Sequence, residues 1–377
     1  MKDMPLCLSS FEAIRRNDQI YVDKTRLIYE LAKSSRRYFL SRPRRFGKSL
    51  LISTLKSLFS HGTEFFKGLW IEKHWHDRTY KVLHLDFSLV SFDSAEDFIR
   101  DAAAMCVREA QAAGLLSEDA DPAQFTSLSR FIAALQANSS EPGGIVLLCD
   151  EYDAPLNANM ERPEIFEAIQ KELRGFYSAV TCFSSLFRFV LVTGVSRFKT
   201  DAIFGEGKSF TDLTLDPKYG TIVGFTTAEL KEYFRDQLVK AAALLNNVAE
   251  NAVTNDQLDE VTARLEKYYG GYCFDEDASV HVLQTWAALC FFDRKIKPRF
   301  SDYWYTSGGL SPRLRNTFTG LAGEYASLDD EVTVTLVEFS GAANLMQMRP
   351  EVLLTQCGYY TIKKAGASGL RNCPKIN

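Results

Sequence analysis

The feature that most constrains this chain is a basic turn set between a strand and a helix. Tyr38–Leu40 reads as a short apolar strand, Arg42-Pro43-Arg44-Arg45-Phe46-Gly47-Lys48-Ser49 follows it, and Leu51, Leu55, Leu58 and Phe59 then recur on one helical face. In that order, backbone N–H groups and a helix N-terminus can surround phosphate oxygens. Lys48 then reaches the β/γ-phosphates of a nucleotide and the Ser49 hydroxyl ligates magnesium. The usual first glycine is missing: Arg42 stands in its place, and Pro43 removes one backbone donor. The plainer alternative is a basic helix start whose lysine and serine are merely solvated.

Apolar runs alternate with stretches of helical spacing, which predicts an α/β fold with a parallel sheet. The candidate strands are Tyr38–Leu40, Val82–Phe87, Ile145–Cys149 and Phe189–Val192, with a weaker fifth at Thr221–Val223. Helices are expected over Thr226–Leu238, Leu238–Ala249 and Gln257–Tyr268, and loops at Ser117–Gln124 and Ser139–Gly144. A length of 377 residues allows two domains. The boundary is placed near Gly224, dividing a nucleotide-binding core (1–224) from a mainly helical C-terminal part (225–377) that contains the aromatic cluster Tyr303-Trp304-Tyr305.

The run Ile145-Val146-Leu147-Leu148-Cys149 reads as a strand buried on both faces, and it ends in Asp150-Glu151-Tyr152-Asp153. Carboxylates at the C-terminal end of such a strand face the ligand crevice. Asp150 is therefore expected to hold magnesium through water and Glu151 to polarise the attacking water. The alternative is an acidic turn without chemistry, and Asp153 reads equally well as a cap before Pro155. The next strand ends in Thr193-Gly194-Val195-Ser196-Arg197, where Thr193 is the candidate γ-phosphate sensor, or else a hydroxyl bonded to nearby backbone. Arg174 and Arg197 are sources for an arginine that stabilises phosphoryl charge, and nothing in the sequence selects between them.

A formal net charge of -4 provides no global basic field for nucleic acid. The eight cysteines include no CxxC pair, so reduced thiols are expected and a zinc ribbon is not. The N-terminus lacks an apolar signal segment, and Arg188 interrupts the most apolar later stretch, so the expectation is a cytoplasmic protein without membrane spans.

Tyr21-Val22-Asp23-Lys24-Thr25, the run from Phe39 to Ser49, and Asp150-Glu151-Tyr152-Asp153-Ala154-Pro155-Leu156 closely resemble a bacterial AAA-ATPase-like family often fused to a PD-(D/E)XK nuclease. The resemblance continues through Thr193–Ser196, Asp212–Asp216, Tyr269–Phe274, Tyr303-Trp304 and Leu353–Tyr359, and so spans nearly the whole chain. It implies that the arginine-rich turn is the family's own Walker A loop, with Asp150 and Glu151 as its Walker B pair. It also implies a P-loop NTPase core of the AAA or ASCE type, with helices on both faces of the sheet and an extra strand between the P-loop and acidic strands. ATP and Mg2+ are the implied ligands, and Tyr21–Thr25, Asp23 among them, is implied to lie near the adenine. The C-terminal part is implied to act as a lid, and its end is expected to be winged-helix-like. The chain departs from the family at Ala202–Lys208, and it stops at Pro374-Lys375-Ile376-Asn377, where relatives often continue into the nuclease, so no nuclease activity is expected.

Three functions compete on these grounds. The first is an ATPase whose lid passes the state of the γ-phosphate to a protein partner or a separately supplied nuclease domain. The second is a regulatory module that holds ATP without turnover. The third takes Arg42, Arg44 and Arg45 as contacts to nucleic-acid phosphates, against the absence of an aromatic platform beside them.

Overall fold

The computed structural model describes residues 2–139, 141–205, 210–293, 298–301, 303, 332–339, 341, 348–366 and 369–374. Trp304 and Tyr305, residues 206–208 of the departing loop and the last three residues lie outside that set.

Strands β1 (Arg37–Ser41), β2 (Lys81–Asp86), β3 (Ile145–Asp150), β4 (Phe187–Gly194) and β5 (Thr211–Asp212) form a parallel sheet in the order β2-β3-β4-β1-β5. The P-loop strand β1 and the acidic strand β3 are thus separated by β4, as the resemblance implied. β3 shows why its sequence is a continuous apolar run. Ile145, Leu147 and Cys149 enter one apolar cluster while Val146 and Leu148 enter the other, so neither face meets water.

Helices cover both faces. On the Val146 side lie α1 (Phe11–Arg16), α2 (Thr25–Ala32) and α3 (Lys48–His61), packed through Phe11, Ile28, Leu55 and Phe59. On the Leu147 side lie α4 (Ala95–Ala112), α5 (Leu128–Asn138), α6 (Ala154–Ala158), α7 (Pro163–Cys182) and α8 (Thr200–Phe204), packed through Phe98, Phe131, Leu156, Phe176 and Ile203.

A third apolar cluster is built by α9 (Thr227–Tyr233), α10 (Arg235–Asn246), α11 (Asn255–Tyr269) and α12 (Thr285–Phe292) around Leu230, Leu238, Leu265 and Phe291. It also takes in Ile20 and Val22 from the N-terminal segment. Reciprocal capping boxes, Thr226 with Glu229 and Thr254 with Gln257, start α9 and α11. Beyond them come β6 (Val332–Val334), α13 (Leu336–Phe339), α14 (Pro350–Cys357), β7 (Tyr360–Gly366) and β8 (Gly369–Pro374). β8 pairs antiparallel with both β6 and β7, so among the described residues the order of elements is strand, helix, helix, hairpin.

Two expectations are corrected. The fifth strand is Thr211–Asp212, paired with Tyr38 and Phe39, and Thr221–Val223 is a turn. A two-residue strand of polar side chains carries no apolar signal, whereas Ile222 and Val223 are apolar because they are buried at a turn closed by Gly224 at φ 85°. The single helix expected over Thr226–Leu238 is interrupted at Phe234, which ends α9 with φ -114° and ψ 25° before α10 begins. No helix among the described residues is long and apolar enough to cross a membrane, and Cys7, Cys106, Cys149, Cys182, Cys273, Cys290 and Cys357 form no disulfide.

Candidate functional site

β1 delivers the chain into the basic turn at the edge where β3 and β4 also end. Arg42 N–H donates to Gly194 O at 3.1 Å, which extends the β1–β4 ladder by one bond. Lys48 opens α3 and its ammonium folds back over the turn, donating to Arg42 O at 3.2 Å and Pro43 O at 3.3 Å, with Glu151 Oε1 at 3.4 Å. Two left-handed residues bend the turn, Arg45 at φ 70° and Gly47 at φ 103°. A methyl group on Gly47 would meet nothing within 4 Å, so the space beside it is open to a ligand. Ser49, half-buried in the first turn of α3, lines the same space.

Asp150 sits at the end of β3, only 2% exposed. Its Oδ1 accepts from Thr193 Oγ1 at 2.5 Å and from Glu151 N–H at 3.0 Å, so the neighbouring strand fixes the carboxylate's orientation. Glu151 has φ 49°, a left-handed value that turns its side chain toward Lys48. Burial pushes the Glu151 carboxyl above its ordinary value, while the Lys48 ammonium opposes that shift and Asp153 and Asp150 add to it.

Asp153 is fully buried and holds the turn after β4, accepting from Ser196 N–H at 2.6 Å and Val195 N–H at 3.1 Å. This close approach explains Gly194: a Cβ there would stand 2.4 Å from Asp153 Oδ1 and 2.6 Å from the Tyr152 ring. Gly194→Ala is therefore expected to cost roughly 3 kcal/mol, the upper end of overpacking costs, read as a lower urea midpoint. An unchanged midpoint would mean that the two acidic-turn side chains can move aside.

A cavity of about 540 Å³ opens from this cluster. Its lining combines polar residues and the loop glycine, Arg44, Gly47, Lys48, Ser49 and Glu151, with apolar residues, Ile20, Val22, Ile28, Val223, Phe225 and Leu289. Lys24 forms part of the wall, and its ammonium is bound by both Glu229 oxygens at 2.7 and 2.8 Å. Burial lowers the Lys24 pKa, and the Glu229 carboxylate works against that shift.

The structure gathers Lys48, Ser49, Asp150, Glu151 and Thr193 at one edge of the sheet, together with Arg44, Arg45, Phe46 and Gly47 of the turn. Three expected site residues are placed differently. Arg42 is 1% exposed and its guanidinium points inward, donating to Ser41 O at 2.9 Å, Thr214 O at 2.7 Å and Tyr219 O at 3.2 Å beneath the Phe274 ring. Its guanidinium is spent on three buried backbone carbonyls, which makes it a strut and not a phosphate ligand. Asp23 accepts from Thr25 N–H at 2.8 Å at the start of α2 and from Trp70 N–H at 2.8 Å, while its neighbours Tyr21, Val22 and Lys24 line the cavity. Thr193 spends its hydroxyl on Asp150 and is fully buried, so it positions the carboxylate. Neither Arg174 nor Arg197 lines the cavity, and Arg197 is paired with Asp212 at 2.6 Å.

Sequence reasoning missed how distant segments hold the turn. Phe46 is buried between the Tyr272 and Phe274 rings at 4.9 and 5.1 Å, and its carbonyl accepts from Gly224 N–H at 3.0 Å. Thr285 Oγ1 donates to Arg45 O at 2.6 Å, and the Arg45 guanidinium lies 4.7 Å from the centre of the Trp286 ring. Thr214 Oγ1 accepts from Ser41 N–H at 3.1 Å, and Gly358 packs against Pro43 so closely that a Cβ would come within 3.0 Å. Short motifs around Thr214, Tyr272 and Gly358 were visible in the sequence, but their convergence on one loop was not.

A family model described as AAA-ATPase-like, a predicted AAA-ATPase, matches residues 5–204. The chain is also 29% identical over 364 residues to a protein of Azotobacter chroococcum mcd 1 described as an uncharacterized protein in the vnfD 5' region. That match covers 96% of this chain and 64% of the relative, so the chain spans less than two thirds of the relative's length.

Proposed function

The chain belongs to the AAA-ATPase-like family of predicted AAA-ATPases, and on that premise we propose that its cavity binds ATP with magnesium and hydrolyses it to ADP and phosphate. Family membership implies nucleotide binding. The observation that supports the finer reading is the meeting of Lys48 and Glu151 at 3.4 Å in the wall of a cavity of about 540 Å³, which Gly47 also lines.

The two kinds of lining suit the two parts of a nucleotide. Apolar side chains such as Ile20, Val22 and Phe225 suit the base, and the turn from Arg44 to Ser49 suits the phosphates. Lys48 has three donors and rests on two carbonyls, which holds its ammonium ready for phosphate oxygens. The oxygen donors Ser49 and Asp150 suit magnesium, a hard cation, which when bound neutralises charge on the phosphate oxygens. Glu151 accepts a proton from the attacking water as its oxygen bonds to the γ-phosphorus. The bond from that phosphorus to the bridging oxygen breaks, and ADP leaves with the electron pair.

Steady-state phosphate release and equilibrium ATP binding by the purified chain with magnesium test this reading. The alternative is binding without turnover. Binding with no phosphate release would select it, and absence of both would end the nucleotide reading.

The pH profile gives a further check. The base form of Glu151 is the ionised one, and burial raises its pKa above the ordinary 4.5. Turnover should therefore fall as pH is lowered through a range above 4.5, with kcat recovered on return. A rate that stays flat down to that value would show that no raised carboxylate limits the reaction.

A further inference from the structure

We infer that Thr285 and Trp286, at the start of α12, are positioning residues that hold the phosphate loop in its working conformation; the inference rests on the nucleotide-binding reading of the cavity. Three observations meet at one peptide. Arg45 adopts φ 70°, a left-handed conformation that a non-glycine residue keeps only when its surroundings hold it. Its carbonyl accepts from Thr285 Oγ1 at 2.6 Å and from Trp286 N–H at 3.3 Å. Its guanidinium lies over the Trp286 ring at 4.7 Å.

The arrangement serves both partners. The first N–H groups of a helix have no acceptor within the helix. Gln284, which precedes α12, has no side-chain capping bond, and the carbonyl of Arg45 accepts the Trp286 N–H instead. Gln284 adds a weaker contact from its Nε2 to Arg44 O at 3.5 Å. Loop residues 44 and 45 are thus held by the N-terminal end of α12, while residue 46 is held by Gly224 and by the Tyr272 and Phe274 rings. A glycine-rich loop adopts left-handed turns at no steric cost. Here an arginine occupies one of them and the clamp maintains it. Because Thr285, Trp286 and Arg45 all line the cavity, the clamp also makes the loop's shape depend on where α12 sits.

The test compares the parent with Thr285→Val, which keeps the shape and loses the hydroxyl, and Thr285→Ser, which keeps the hydroxyl. Limited digestion with trypsin, without nucleotide, is followed by mass spectrometry at the bonds after Arg44 and Arg45, with cleavage elsewhere as internal reference. ATP dissociation constants are measured in parallel with magnesium. The expected result is cleavage at these two bonds about fivefold faster in T285V only, and an ATP dissociation constant raised about tenfold, the factor given by ~1.4 kcal/mol. T285S should match the parent in both. Equal cleavage in all three proteins, a rise at every site alike, or faster loop cleavage with unchanged ATP affinity would each overturn the inference. If the parent binds no ATP, the nucleotide reading falls, and the digestion pattern alone decides whether the clamp orders the loop.

Discussion

Glu151→Gln is expected to lower the rate of phosphate release by about 10²- to 10⁴-fold, the usual contribution of a positioned general base, while ATP affinity changes by less than about threefold. Glutamine keeps the size of the side chain and the backbone N–H that bonds Asp150 Oδ1 at 3.0 Å, so the turn at φ 49° has no reason to move. What disappears is the group that can accept the water's proton. Lys48 loses a carboxylate neighbour at 3.4 Å but keeps the carbonyls of Arg42 and Pro43, so it still meets phosphate. The measurement is phosphate release under ATP saturation beside a binding isotherm for the same preparation. Turnover within tenfold of the parent would remove Glu151 from the mechanism.

Lys48→Ala should raise the ATP dissociation constant by at least about 100-fold, equivalent to about 2.7 kcal/mol, and abolish detectable turnover. The lysine is 4% exposed, and the other lysine of the cavity wall, Lys24, is already bound by both Glu229 oxygens at 2.7 and 2.8 Å. Arg44 lies nearby but is exposed, and its charge is shared with solvent. Removing Lys48 also takes away the cation that counters the burial of Glu151, so the carboxyl should titrate at still higher pH. Urea unfolding of the same variant separates loss of binding from loss of fold. An alanine variant that is folded and binds ATP as the parent does would show that the phosphates sit elsewhere.

Much of the site was legible because it is local. Tyr38–Leu40, the basic turn and the helix starting at Lys48 are contiguous, so their order alone predicts a phosphate site. The β3 run and its terminal Asp150-Glu151 pair were legible for the same reason, since burial on both faces removes alternation. Thr193 was found beside Asp150, though its hydroxyl serves the carboxylate. Arg42 was misread because a basic side chain in a phosphate loop looks like a ligand, and only Thr214, Tyr219 and Phe274 reveal the inward pocket.

By itself the amino-acid sequence determined the class of fold, the basic turn between strand and helix, and the acidic strand, because each depends on periodicity and spacing within a few consecutive residues. Only the tertiary structure decided what holds the turn in shape: Thr285 on the Arg45 carbonyl, Phe46 between two distant rings, and Pro43 against Gly358. These contacts join residues far apart along the chain, and no local pattern specifies which distant carbonyl or ring a side chain will meet once the layers pack.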